Sequence, residues 1–483
     1  MGSIFLYVID SLRYDHVGLV EAGESLTPNI DSVGFEGAVF SNTMAQATWS
    51  KPSAASMFTG IYPAALGMVP RLVGSNTRPS RIGLPANAST TASLFKAIGF
   101  RTAALTANPF VAERFGLHQG FDEIPDMYEH PAVQAREALN RGLMERLNRR
   151  RVPAIVTGRD LHQALTESPL LNGQDSYVLL WSMDTHPPFF DRGRIDELKS
   201  DDPELINTAI SARDRLDLVR SAYRKMVRYA DAQLGDLIRE LKVRSQFDSS
   251  FIIVTADHGE SFGENGIYGH AGFPYENQIH VPLIIKFPGG RHAGQVCTEL
   301  AGLIDLLPTL AEWYQFDLAS PVDGRSLLPT LRGEAKGHDH LVVFDQTRDD
   351  RWDYAGVRTA QKNFIARMHR KGDRLPLTHR LRMVRFYLTS IAARQRLQML
   401  RSIDLGPFYP VEEELYDLQV DPQELQNKIH ARDEHEHAVW SRERILEFLS
   451  AAASHFRSRF GQESVAQVDE RVKQRLSDLG YLD

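Results

Sequence analysis

Five short apolar runs, none alternating with polar residues, constrain this chain more than any other feature. "IFLYVID", "RTAALTA", "SYVLLWSMD", "SFIIVTAD" and "VPLIIKF" have strand length and apolar continuity, and helical periodicity fills several of the intervals between them. A strand that is apolar on both faces must be covered on both faces. The expected fold class is therefore α/β, a large mostly parallel sheet sandwiched by helices, with ligands bound beyond the carboxyl ends of the strands.

Those ends carry chemistry. "IFLYVID" finishes in Asp10, "SYVLLWSMD" leads into Asp184 and His186, and "SFIIVTAD" closes on Asp257 with His258 beside it. A single aspartate after a strand is a common turn former or helix cap. Three such ends on one edge suit a divalent cation, and an adjacent carboxylate and imidazole accept Mn, Zn, Mg or Ca according to the remaining ligands. Without a cation, so many carboxyls together would have to take up protons.

The stretch "QATWSKPSAASMFTG" places Ser50 two residues before Pro52. Proline at a helix start predicts a helix opening at Pro52, with free N–H groups and the positive dipole end directed at Ser50. A hydroxyl between such a helix and a metal is activated toward an anionic ester. The simpler expectation makes Ser50 an N-cap.

Composition limits the alternatives. A formal charge of -7 over 483 residues argues against nucleic acid as the main partner, and the single cysteine, Cys297, excludes an internal disulfide or a cysteine metal cage. No apolar run reaches membrane-spanning length, and the first strand lacks a basic lead and a cleavage site, so a cytoplasmic location is expected.

The order of the motifs resembles the sulfatase family, within the alkaline phosphatase superfamily, over almost the whole chain. "YVIDSLRYDHVG", "TPNIDSVGFEGAVFSN", "SKPSAASMFTGIYPAALGM", "DTHPPF", "VTADHGESFGENGIYGHAGFPYENQIHVPLII", "DLLPTL", "ELYDLQVDPQELQN" and "LSDLGYL" follow one another as the family's motifs do. The resemblance implies an alkaline phosphatase-like fold and a metal-dependent hydrolase of small anionic sulfate or phosphate esters. It implies metal ligation by Asp10, Asp257, His258 and Ser50, the last also being the nucleophile. His270 falls where many sulfatases place a lysine that contacts the ester oxygens, His186 at the histidine that protonates the leaving group or grips the substrate, and Asn108 near a substrate-contacting position.

Two departures matter. The signal for converting the nucleophile to formylglycine usually has arginine at the position of Ala54, so conversion of Ser50 is not expected. Where many sulfatases have a second aspartate, this chain has Ser11, which weakens a preference for calcium. Both lean toward phosphodiesterase or phosphonate monoester hydrolase chemistry by unmodified Ser50. A non-catalytic anion-binding relative is the competing expectation.

The resemblance also divides the chain into a catalytic domain over 1–335 and a smaller α+β subdomain over 336–483, which ends in helices. Within the latter, a basic helical insertion at about 365–403 carries Leu381, Val384, Leu388 and Ile391 at helical spacing. Its basic face allows contact with an anionic surface or a second copy of the chain.

Overall fold

The computed structural model describes residues 2–69, 81–111, 115–136, 156–187, 216–318, 320–346, 353–368, 410–461 and 464–465. All five apolar runs are strands. With two more they are β1 (Ile4–Ile9), β2 (Ala38–Met44), β3 (Arg101–Thr106), β4 (Ser176–Ser182), β5 (Phe251–Thr255), β6 (His280–Lys286) and β7 (Gln295–Cys297). They form one sheet in the order β7-β2-β6-β5-β1-β4-β3, and the short segment Ala301–Gly302 adds an eighth strand beside β2.

β1 lies at the centre, parallel to β4 and β5, and every residue of these three strands is buried. β6 is the antiparallel member, running against both β2 and β5. A parallel neighbour would need a crossover helix. The connection from Ala256 to Ile279 contains only short pieces and carries site residues instead.

Two helical layers cover the sheet. One packs α1 (Pro28–Phe35) and α4 (Gly158–Glu167) against the long α5 (Leu216–Val243); the other packs α2 (Ser50–Thr59) against α3 (Thr91–Ala97) and α6 (Leu306–Tyr314). Asp231 of α5 accepts the backbone N–H groups of Asn29 and Ile30, at 3.0 and 2.8 Å. It thereby supplies the start of α1 with the acceptor that its own N-cap residue, Thr27, does not provide.

The C-terminal subdomain is β-rich. Strands β8 (Leu341–Gln346), β9 (Asp353–Arg358), β10 (Lys362–Met368) and β11 (Pro410–Asp417) form an antiparallel sheet in chain order, against which α7 (His435–Arg459) packs. The expected basic helical insertion begins differently, because residues 365–368 belong to β10, paired with β9 and β11. The remainder of that segment lies outside the described residues.

Candidate active site

Because β1 pairs in register with β4 and β5, their carboxyl ends emerge side by side. Asp10, Asp257 and His258 are all fully buried there, and one ligand atom from each lies within 4.8 Å of the others. Ser11 follows Asp10 in a left-handed conformation, φ 62°, which turns its N–H onto Asp257 Oδ1 at 3.1 Å. Its hydroxyl donates to Asp10 Oδ1 at 3.1 Å.

The helix expected to carry the nucleophile differs from expectation in one respect. It starts at Ser50, with Trp49 in the N-cap position and no side-chain cap, so Ser50 is not the cap. Pro52 is tolerated inside the first turn because N–H groups there have no intrahelical acceptor. Ser50 Oγ instead faces Asp10 Oδ2 at 3.3 Å and His258 Nε2 at 3.4 Å. Ser53 Oγ donates to the Asp257 carbonyl at 2.6 Å, fastening α2 to the end of β5. At the far end of α2, Gly60 takes φ 67° and closes the helix on Ser56 O, where a side chain would press on Ile304 O.

His270 and His186 converge on the same place. The His270 ring lies 4.5 Å from that of His258 and 5.0 Å from that of His186, centroid to centroid. His270 Nδ1 is 3.0 Å from Glu260 Oε2. His186 Nδ1 is 2.5 Å from Pro187 O. Asn108 is committed within the site: its Nδ2 donates to Asp10 Oδ2 at 2.8 Å, and its Oδ1 accepts the Phe110 N–H at 2.9 Å. Asp184 is drawn away. Its Oδ2 accepts from Ser182 Oγ at 2.6 Å and from Gly158 N at 2.9 Å, a role at the start of α4.

Burial and mutual charge set the electrostatics. Burial, followed by the Asp10 charge, pushes Asp257 up to about 7. Asp10 is held below the usual carboxylate range: burial opposes this, but His186, His258 and the Trp181 indole N–H outweigh it. His258 is raised, the two aspartates overcoming its burial. Burial drives the His186 imidazole down to about 3, against the pull of Asp10, and an anion beside it would raise it again. Burial lifts Glu260 to about 7. Two buried carboxyls that oppose each other's ionisation, with Asp257 Oδ2 3.3 Å from His258 Nε2, fit a hard divalent cation held by Asp10, Asp257 and His258.

Four supporting residues escaped the sequence reading. Trp181 Nε1 donates to Asp10 Oδ2 at 2.9 Å, and Thr185 Oγ1 donates to the Asp10 carbonyl. Glu260 meets His270, and Asp345 of β8 binds Trp49 Nε1 at 2.8 Å. Glu260 had a signal, standing two residues after His258; the others are ordinary strand or loop residues in sequence. A cavity of about 740 Å³ lies between the Arg13–His16 turn, the start of α5 and the Gln419–Glu424 turn, and Ser50, Asp10 and Asp257 do not line it.

An α/β sheet whose carboxyl edge joins a helix-borne hydroxyl, a dicarboxylate-imidazole cluster and two further imidazoles defines an ester hydrolase of the alkaline phosphatase superfamily. The chain belongs to the sulfatase family, whose model matches residues 3–316. It is 26% identical over 411 residues to the multifunctional alkaline phosphatase superfamily protein PehA of Trinickia caryophylli, covering 70% of this chain and 78% of that protein. To human arylsulfatase A it is 26% identical over 376 residues, 71% of this chain and 70% of the relative. The fold matches the phosphonate monoester hydrolase of Silicibacter pomeroyi with a TM-score of 0.65 at 19% identity, over 98% of this chain and 100% of that one. The corresponding Agrobacterium radiobacter hydrolase gives 0.64 at 18% identity, over 94% and 96%. No helix among the described residues is long and apolar enough to cross a membrane.

Proposed function

We propose that this enzyme hydrolyses small anionic phosphate or phosphonate esters in preference to sulfate esters, with unmodified Ser50 as nucleophile. The observation that carries the reading is the position of Ser50 Oγ at the start of α2, 3.3 Å from Asp10 Oδ2 and 3.4 Å from His258 Nε2. A divalent cation held by Asp10, Asp257 and His258, Mn, Zn or Mg rather than Ca because Ser11 adds no carboxylate, would stabilise the ester oxygens and ease ionisation of Ser50.

Ser50 Oγ attacks in line, forming an O–P bond as the bond to the leaving oxygen breaks. Its proton passes to Asp10 Oδ2, to which the hydroxyl already donates, and His186, protonated when the anionic ester raises its imidazole, supplies the proton that the leaving oxygen needs. His270, steadied by Glu260, contacts the nonbridging oxygens, and the positive dipole end of α2 faces the same charge. Water then attacks phosphorus as the Ser50 O–P bond breaks, its proton going to the now neutral His186 while Ser50 recovers its own from Asp10. A sulfated serine lacks the second hydroxyl by which formylglycine expels sulfate, so it accumulates.

The test combines the mass of the Ser50 peptide with turnover of nitrophenyl phosphate, phosphodiester, phosphonate and sulfate. Unmodified serine with faster phosphorus esters is the expected result. Loss of two hydrogens from Ser50 together with faster sulfate turnover overturns it.

A further inference from the structure

Thr48, two residues before the nucleophile, joins three parts of the chain. Its backbone N–H donates to Asp345 Oδ2 at 2.8 Å, and its hydroxyl donates to the same oxygen. That donation fixes the hydroxyl so that its lone pair accepts the Gly272 N–H at 2.7 Å, while the Thr48 carbonyl accepts the Ala271 N–H at 2.9 Å. Thr48 is fully buried, and Asp345 is 2% exposed.

The segment held in this way follows His270 directly. Ala271 has φ 74°, a left-handed conformation that is strained in a residue with a Cβ. Such a conformation persists only where surrounding bonds enforce it. Here the enforcing bonds come from Thr48, and Asp345 orients the hydroxyl that makes one of them. The same carboxylate takes the Trp49 indole N–H, so the C-terminal sheet reaches both the approach to Ser50 and the His270 turn.

We propose that Thr48 and Asp345 are positioning residues for the reaction: they hold the His270 turn so that its imidazole meets the ester that Ser50 attacks. This rests on the ester-contact role given to His270 above. It makes the C-terminal sheet part of the catalytic apparatus rather than a cover on it.

The test is an activity cycle between Thr48→Val and His270→Ala, using the fastest of the four nitrophenyl esters. Thr48→Val keeps the shape and both backbone bonds but deletes the hydroxyl. Its expected effect is a roughly tenfold to hundredfold fall in kcat, of the size that small misplacements cause, with metal content unchanged. Thr48→Ser restores kcat to within about threefold. In the His270→Ala background, Thr48→Val has little further effect, because its route to the ester is already gone. Multiplicative losses, or full activity in Thr48→Val, overturn the proposal alone. Full activity in His270→Ala removes the ester-contact role itself and the proposal with it. Should Thr48→Val fail to fold, Thr48→Ala replaces it; failure of both makes Thr48 a stability residue and overturns the proposal.

Discussion

The indole N–H of Trp181 donates to Asp10 Oδ2 at 2.9 Å, from a residue buried to 0% exposure in the strand beside β1. Asp10 is thus aimed by its neighbour in the sheet as well as by its own backbone. Trp181→Phe keeps an aromatic ring and removes that bond. Supporting hydrogen bonds to metal ligands are worth about 10–100-fold in affinity, so metal titration should show weakening of that order. Unchanged affinity in a folded variant would contradict the role.

Asp257 predicts a pH dependence with a definite sign. Its carboxyl is raised from 3.8 to about 7 in the metal-free protein, so its stabilising contribution is full below 3.8 and is lost as pH rises through about 7. The metal-free protein should therefore melt lower at pH 8 than at pH 6. A cation requires the ionised carboxyl, so apparent affinity should rise about tenfold per pH unit up to about 7 and then level. Calorimetric titration in buffers of different ionisation enthalpy reads the accompanying proton release. Equal affinity at pH 5.5 and 7.5 would exclude this proton competition.

Ser50→Ala separates catalysis from helix stability. Turnover should fall by at least about a thousandfold on every ester. Stability should drop by less than the ~1 kcal/mol that loss of an N-cap costs, because Trp49 occupies that position. Denaturant melts of the variant measure the difference. A loss well above that figure would restore the capping role.

Asp231→Ala gives the opposite pattern. Its carboxylate accepts from Asn29 N, Asn29 Nδ2 and Ile30 N, and it is 2% exposed. Removal leaves donors at the start of α1 unpaired and should cost about 1–3 kcal/mol while kcat per folded molecule stays constant. Chemical unfolding and active-site-normalised rates check both halves. A fall in kcat without lost stability would contradict the assignment.

The chain's own order already determines the strands and their reactive ends. Runs such as "IFLYVID" and "SFIIVTAD" are short, continuously apolar and rich in β-branched and aromatic residues, which marks them as strands covered on both sides, and Asp10, Asp257 and His258 stand at their ends. The short residues after Ser50 and the ordered motifs made the helix at Ser50 and the family legible for the same reason: the information is local. Only the tertiary structure decided that β6 runs antiparallel, that Asp184 serves α4 rather than the cation cluster, and that Trp181, Glu260 and Asp345 support the site. Thr48 and Asp345 are separated by 297 positions. Their meeting depends on how two sheets dock, and a hydrogen bond of that range leaves no periodicity or spacing in the sequence from which it could be read.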